Sequence, residues 1–453
     1  MLLEDFLRER LEIPVSHVFS YAITIDKKNT YSLDDVQVIG QQLAVIARKN
    51  GQAKFAGDLE KALSSISSKD AEVQTDDKTF FGALEFGLAN AILKENIAYA
   101  LQESTGGGAA YSYSSAKKVH ERNKNQHVFF VGNLPRTVLE FLLPKSAEFG
   151  NEYVSDLLRY STKRPEFDPR THSLEIRETS TKLMLSLIEG RRPEELEFAD
   201  IIQKVNQLYM NGDDSYVVQL GSLNKGNPIF HSATKYVFEE ASARTGKKTI
   251  FYAGTSDFKD DTNRVIEILK VVYSYHIISM NEKELDQVYS ALCKSTGASE
   301  SPSSRAEKLS VLDNLVESYN SSHNEDRIEI NPEQIKICHS AHGAIAYKSS
   351  WYGDSDRQLT QELLQLCVDG TTRKYETDNY LCLKEILAYS STAGIVRQNS
   401  EFDEQFGDER NRENYNVVSA VAPVVPNPIG TLTGLGAVFD GIATSTMGLY
   451  FAR

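Results

Sequence analysis

The chain has 453 residues, 41% of them hydrophobic and 25% charged, the values of an ordinary globular protein, which exclude wholesale disorder. Its formal charge of −14 repels phosphate backbones and argues against nucleic acid as the main partner; an anionic small molecule would need a pocket lined locally by cations or amides. The length fits about three domain-sized units, or one large α/β domain with an insertion.

The N-terminus, MLLEDFLRER, lacks the basic segment and unbroken apolar core of a signal peptide. No apolar run reaches the ~18 residues of a membrane span. Cys293, Cys338, Cys367 and Cys382 form no CxxC pair, so neither a zinc ribbon nor a disulfide framework is expected. These features predict a soluble, cytoplasmic protein without a membrane partner.

In chain order, ITIDKKN reads as a short strand followed by Asp26. Ser32 opens the first clear helix, with Asp35 completing a capping box, apolar residues at Val36, Ile39, Leu43 and Ile46, and a stop at Gly51. A second helix is predicted from Lys78 to Gln102. It ends at Gly106-Gly107-Gly108, which precede another helix and the buried strand HVFFVGNL. Residues 151–190 hold RPEFDPRTHSLEIRETS, an inserted excursion with an alternating polar strand. Three βα units follow: SYVVQLG, KTIFYAG and YHIISMN, each succeeded by a helical pattern. Strands apolar on both faces and alternating with helices indicate a parallel sheet covered on both sides. ASESPSS (298–304) reads as a surface loop and EFDEQFGDERNREN (401–414) as a charged connector. The chain closes with the strand NVVSAVAPVV, the loop NPIGTLT and the helix GLGAVFDGIATSTM.

Ligands of such sheets bind beyond the carboxyl ends of strands. The closing helix opens on Thr433, Gly434, Leu435 and Gly436, where free N–H groups and the helix dipole would stabilise a phosphate. The same glycines also suit a tight turn needed only for packing. Asn281, Glu282 and Glu284 follow a strand and offer oxygen ligands for hydrated Mg²⁺; as readily, Asn281 is an N-cap and the two acids favour the helix dipole. Asp26 and the turn at Gly107–Gly108 could hold sugar hydroxyls. His339 and His342 share a strand region, but an H-x-x-H spacing there does not put both rings on one face, so no metal site is expected. Lys27, Lys28, Arg136 and Arg177 are the cations available to an acidic acceptor.

Taken together, an early Asp at a strand end, a glycine cluster before a helix, SMNEKEL, KICHSAHGAIAY and VVPNPIGTLTGLGAVFDG resemble, in order and detail, the ADP-dependent glucokinases and phosphofructokinases of the ribokinase superfamily. The resemblance runs from about residue 20 to the end. It implies a ribokinase-like three-layer α/β sandwich with a mainly parallel central sheet: residues 1–150 and 191–453 as the nucleotide-binding core, and 151–190 as part of a smaller lid. It implies transfer of the β-phosphoryl of ADP to a sugar or sugar phosphate, with Mg²⁺ as cofactor, in a monomer or dimer. By the same carry-over Gly434 and Gly436 form the anion hole. Asn281 and Glu284 organise Mg²⁺, Asp26, Gly107 and Gly108 touch the sugar, and His339, Ser340 and Thr433 lie along the nucleotide.

One departure bears on activity. Where the family has Asp as general base, this chain has Ala437, which accepts no proton. Asp440 is three residues on, about 4.5 Å farther along a helix and rotated around it, and is not expected to replace the missing carboxylate without rebuilding the turn. A general base contributes about 10²–10⁴ in rate. The expectation is therefore a kinase impaired in this chain; the alternatives are an ATP-dependent or non-sugar kinase of the same fold, or a pseudokinase that binds ligand without turnover.

Overall fold

Strands that are apolar on both sides must be covered on both sides, and the central strands of this protein are. In the computed structural model, Ile250 and Tyr252 of one strand enter one core while Phe251 and Ala253 enter another. The structure describes residues 3–452, except 23, 69, 96–101, 107, 136–156, 158, 165–169, 180, 188–197, 221–227, 256–257, 259–260, 300–301, 303, 325, 392–399, 409–411, 414, 424 and 426–433.

Its strands are β1 (Val15–Ala22), β2 (Thr24–Tyr31), β3 (Ala71–Thr75), β4 (Gln102–Gly106), β5 (Gln126–Pro135), β6 (Thr162–Arg164), β7 (Arg170–Ile176), β8 (Thr181–Leu187), β9 (Ser215–Leu220), β10 (Lys248–Gly254), β11 (Ile277–Asn281), β12 (Ile335–Ser340), β13 (Gly343–Tyr347) and β14 (Val417–Val421). Nine form one sheet in the order β14-β13-β12-β11-β10-β9-β1-β5-β6. Only β13 runs against the others. One face packs on the helices Phe198–Asn211, Pro228–Thr245, Thr262–Val272, Glu282–Thr296 and Arg305–Ser322. The other packs on Leu3–Leu11, Gly108–Val119, Asp354–Thr377 and Leu435–Thr446. This is the expected three-layer sandwich with a mainly parallel sheet.

The second sheet has five strands in the order β3-β8-β7-β2-β4. Val73, Leu174, Ile176, Leu183, Leu185 and Leu187 point from it into the helices Leu33–Lys49, Ala53–Ser65 and Lys78–Lys94. The opposite face is polar. Strand alternation sends Lys27 towards Glu85 on the helical side and Lys28 the other way, onto Tyr111 of the large unit.

Four expectations change. The domain boundary placed all of 1–150 in the core, yet β2 pairs with β7 and with β4, and β3 pairs with β8, so residues 24–106 supply much of the smaller unit. Pairing across some 145 positions leaves no local pattern to read. Asp26 does not follow a strand but lies within β2, opposite Ser104 and Thr171. The second helix stops at Lys94, and Gln102 begins β4. The charged connector contains a helix, Ser400–Phe406, with Phe402 and Phe406 in the core. The capping box of Ser32 and Asp35 forms as read.

Candidate functional site

The helix Leu435–Thr446 runs against the strands, so its first turn stands at the carboxyl edge of the large sheet. Gly436 lies against His339 near the end of β12, Asp440 against Gly254 at the end of β10, and Gly448 against Val217 deep in β9. Gly434, its N-cap residue, has φ +85° and no side-chain cap. Among the described residues no side chain caps the first-turn N–H groups, an arrangement in which a helix start can receive an anion. A Cβ on Gly434 would sit 2.6 Å from the Tyr111 ring, and one on Gly436 3.1 Å from Cε1 of His339. Gly434 is demanded by the close approach of the ring and by the backbone angle, while at Gly436 a Cβ would only crowd His339 by a few tenths of an ångström.

The turn is held from behind. Ser112 donates to the Ala437 carbonyl at 2.8 Å, Gln219 donates to Ser112 at 3.0 Å, and Thr444 donates to Gln219 at 2.9 Å. Gly441 permits this contact, since a Cβ there would meet the Ser112 carbonyl at 2.4 Å. Sequence reasoning missed Ser112, Gln219 and Tyr252; a polar side chain inside an apolar strand, as in SYVVQLG, is the signal that would have found Gln219.

His339 stacks on Phe439, ring centroids 4.8 Å apart, and burial lowers its pKa to about 4. At neutral pH it is an uncharged imidazole. Ser340 accepts a hydrogen bond from the His342 N–H across the β12–β13 turn. Asn281 is the register neighbour of His339 on β11. It caps the helix Glu282–Thr296: its side chain accepts from the Glu284 N–H at 2.9 Å, and the Glu284 carboxylate accepts from the Asn281 N–H at 2.9 Å. Thr255, just past β10, donates to the same carboxylate oxygen at 2.6 Å. Burial raises the pKa of Glu282.

Gly434, Gly436, Ala437, His339 and Asn281 thus meet along one edge, with Glu284 bonded directly to Asn281. Gly107, Thr433 and Arg136, and the side chain of Asp26, lie outside the described residues. Gly108 opens the helix that carries Tyr111. Of the expected cations, Lys27 pairs with Glu85 on the far face and Arg177 is exposed. Lys28 is only 7% exposed, its ammonium 4.3 Å from the Tyr111 centroid, and Tyr111 is the ring that borders Gly434. Its register partner Ser173 is fully buried, with an Oγ that has no hydrogen-bond partner among the described residues. Among the described residues no three His, Cys, Asp or Glu gather as a metal cage. No helix among them is long and apolar enough to cross a membrane.

No family model and no curated protein matches the chain. Solved structures do. A reconstructed last common ancestor of ADP-dependent phosphofructokinases from Methanosarcinales aligns over 98% of this chain and 96% of its own, with TM-score 0.58 and 12% identity. A hypothetical ADP-dependent phosphofructokinase from Pyrococcus horikoshii aligns over 97% and 99%, with TM-score 0.59 and 11% identity. A phosphofructokinase from the same organism, solved with AMP, gives 97%, 99%, 0.57 and 11%. The chain therefore has the fold of the ADP-dependent phosphofructokinases over nearly its whole length.

Proposed function

We propose that the chain is a sugar or sugar-phosphate kinase that transfers the β-phosphoryl of ADP to an acceptor hydroxyl and releases AMP. The observation that carries this reading is the uncapped, glycine-cleared first turn of Leu435–Thr446, facing the polar side of the second sheet through Tyr111 and Lys28. The fold shared with ADP-dependent phosphofructokinases, and with a phosphofructokinase solved with AMP, supports the choice of donor.

In this reading the amides of residues 435–437 bind the transferred phosphoryl group, and the Ser112–Gln219–Thr444 chain keeps them in place. Preorganised dipoles of this kind need no reorganisation as charge develops, which is where phosphoryl transfer gains most of its rate. Neutral His339 lies along the nucleotide and adds no charge. Lys28 supplies a cation where the overall charge is negative.

For Mg²⁺ the donor set is a buried carboxylate and an amide at the end of β11, already engaged with each other. Such a pair suits an ion that keeps its waters and is carried on substrate phosphates, not an all-protein cage. Asn281 and Glu284 would hold it through those waters. Mg²⁺ supplies neutralisation of phosphate charge. Ala437 removes direct proton abstraction and slows the reaction.

The test is sugar- and sugar-phosphate-dependent formation of AMP from ADP, run in parallel with ATP and with a nucleoside panel. Production of AMP and a phosphorylated acceptor is the expected result. Transfer from ATP alone, phosphorylation of nucleosides only, or ADP binding that never yields product, even in Ala437→Asp, would overturn it.

A further inference from the structure

Asp440 is a buried carboxylate with no cation paired to it among the described residues. It is 7% exposed, and among the described residues no ion pair reaches it. Its Oδ1 accepts from the Tyr252 hydroxyl at 2.7 Å. Its Oδ2 lies against Gly254, where an added Cβ would be 2.3 Å away. Ser279 is close enough to polarise it, although the Ser279 Oγ makes no regular hydrogen bond among the described residues. A carboxylate held by hydroxyls alone is expensive to keep charged, and burial raises its pKa to about 6. Buried acids of this kind cluster where proton transfer is needed.

Its position is specific. Residues 437 and 440 are one helical turn apart on the same face. Side chains on a helix lean towards its N-terminus, so the Asp440 carboxylate leans towards the turn that carries Ala437. Ala437 is partly exposed and bears only a methyl group, and Gly254 at the strand end has no side chain.

We propose that Asp440 is the proton acceptor of the transfer, set one turn deeper than position 437 and reached through a water molecule. It does not replace the missing side chain in place, since the turn is regular; it works from beneath it. The acceptor hydroxyl oxygen bonds to the transferred phosphorus, the bond from that phosphorus to the nucleotide's bridging oxygen breaks, and the hydroxyl proton passes over the water to Asp440. Asp440 returns it to solvent after product leaves. This inference rests on the kinase reading above.

The experiment compares kcat against pH for the wild type, Asp440→Asn, Ala437→Asp and the double variant, with nucleotide affinity measured by calorimetry and folding checked by thermal melts. In the wild type kcat is expected to fall about tenfold per pH unit below pH 6 or so. Asp440→Asn should lower kcat about 100-fold, leave KM and nucleotide affinity in place, and flatten the acid limb. Adding Ala437→Asp to it should restore turnover with the limb moved to lower pH. An Asp440→Asn protein that turns over like the wild type, or a wild type that is inert while Ala437→Asp is active, would overturn the inference and leave the kinase reading standing. If no variant phosphorylates any acceptor, both fall together.

Discussion

Two helices begin at the carboxyl edge of the large sheet, and their first turns are built in opposite ways. Glu282–Thr296 starts with a complete capping box, in which Asn281 and Glu284 each satisfy the other's backbone N–H. Leu435–Thr446 starts with Gly434 in the left-handed region and no side-chain cap. Each has a buried carboxylate nearby. Glu284 accepts a backbone amide and the Thr255 hydroxyl; Asp440 accepts the Tyr252 hydroxyl and is held up to about pH 6 by burial. A turn that satisfies its own donors is a structural corner. A turn without a side-chain cap among the described residues is the one on which the proposed kinase reading places the phosphate.

The largest expected effect comes from closing the open turn. Gly434→Val places a β-branched side chain at φ +85° and drives its Cβ into the Tyr111 ring. The left-handed backbone and the overpacking together should cost on the order of 3 kcal/mol, read by denaturant titration. Calorimetric heat from nucleotide binding should disappear in the folded fraction. Retained binding would mean that the open turn does not receive the phosphate, and the contrast between the two helices would lose its functional sense.

Asp440 and the buried His17 can be separated by pH. The pKa of Asp440 rises from 3.8 to about 6 in the folded protein, so the fold favours its protonated form. Stability from this group is therefore full below pH 3.8 and is lost as pH rises through about 6; at pH 8 the loss is about 3 kcal/mol. Asp440→Asn should raise the melting temperature at pH 8 and change it little at pH 3.5. His17 behaves in the opposite sense. Stacked on His120 and buried, its pKa is lowered to about 4, so its contribution is full above pH 6.5 and is lost as pH falls towards 4. Melts taken across this range in the variant isolate the Asp440 component from the histidine one.

These features were unequally legible in the sequence. β9, β10 and β11 read directly, because a buried parallel strand is a short continuous apolar run with a helix behind it. The glycine-rich helix start read two ways, as an anion site or as a tight turn needed only for packing, because the same glycines serve both. The smaller unit did not. β2 is TIDKKNTY, polar on both sides in appearance, and its partners β4 and β7 lie far along the chain. Asn281 and Glu284 read two ways, as cap or as metal ligands, because the same oxygens serve both. Asp440 was visible, but its burial against Gly254 and Tyr252 depends on how the last helix lies across the sheet, which spacing does not give.

The smallest expected effect concerns the closed turn, and it asks whether that turn is only a corner. Asn281→Ala removes the N-cap and should cost about 1 kcal/mol, while Asn281→Ser keeps a capping oxygen and should cost little. Both shorten the side chain that would meet the waters of Mg²⁺. If Asn281 has that second role, both variants should raise the Mg²⁺ concentration needed for half-maximal nucleotide binding, and the serine variant should do so without loss of stability. A Mg²⁺ titration unchanged in both, with stability lost in the alanine variant alone, assigns Asn281 to the cap. The division at the sheet edge would then be complete: one helix start serving the fold, the other serving the ligand.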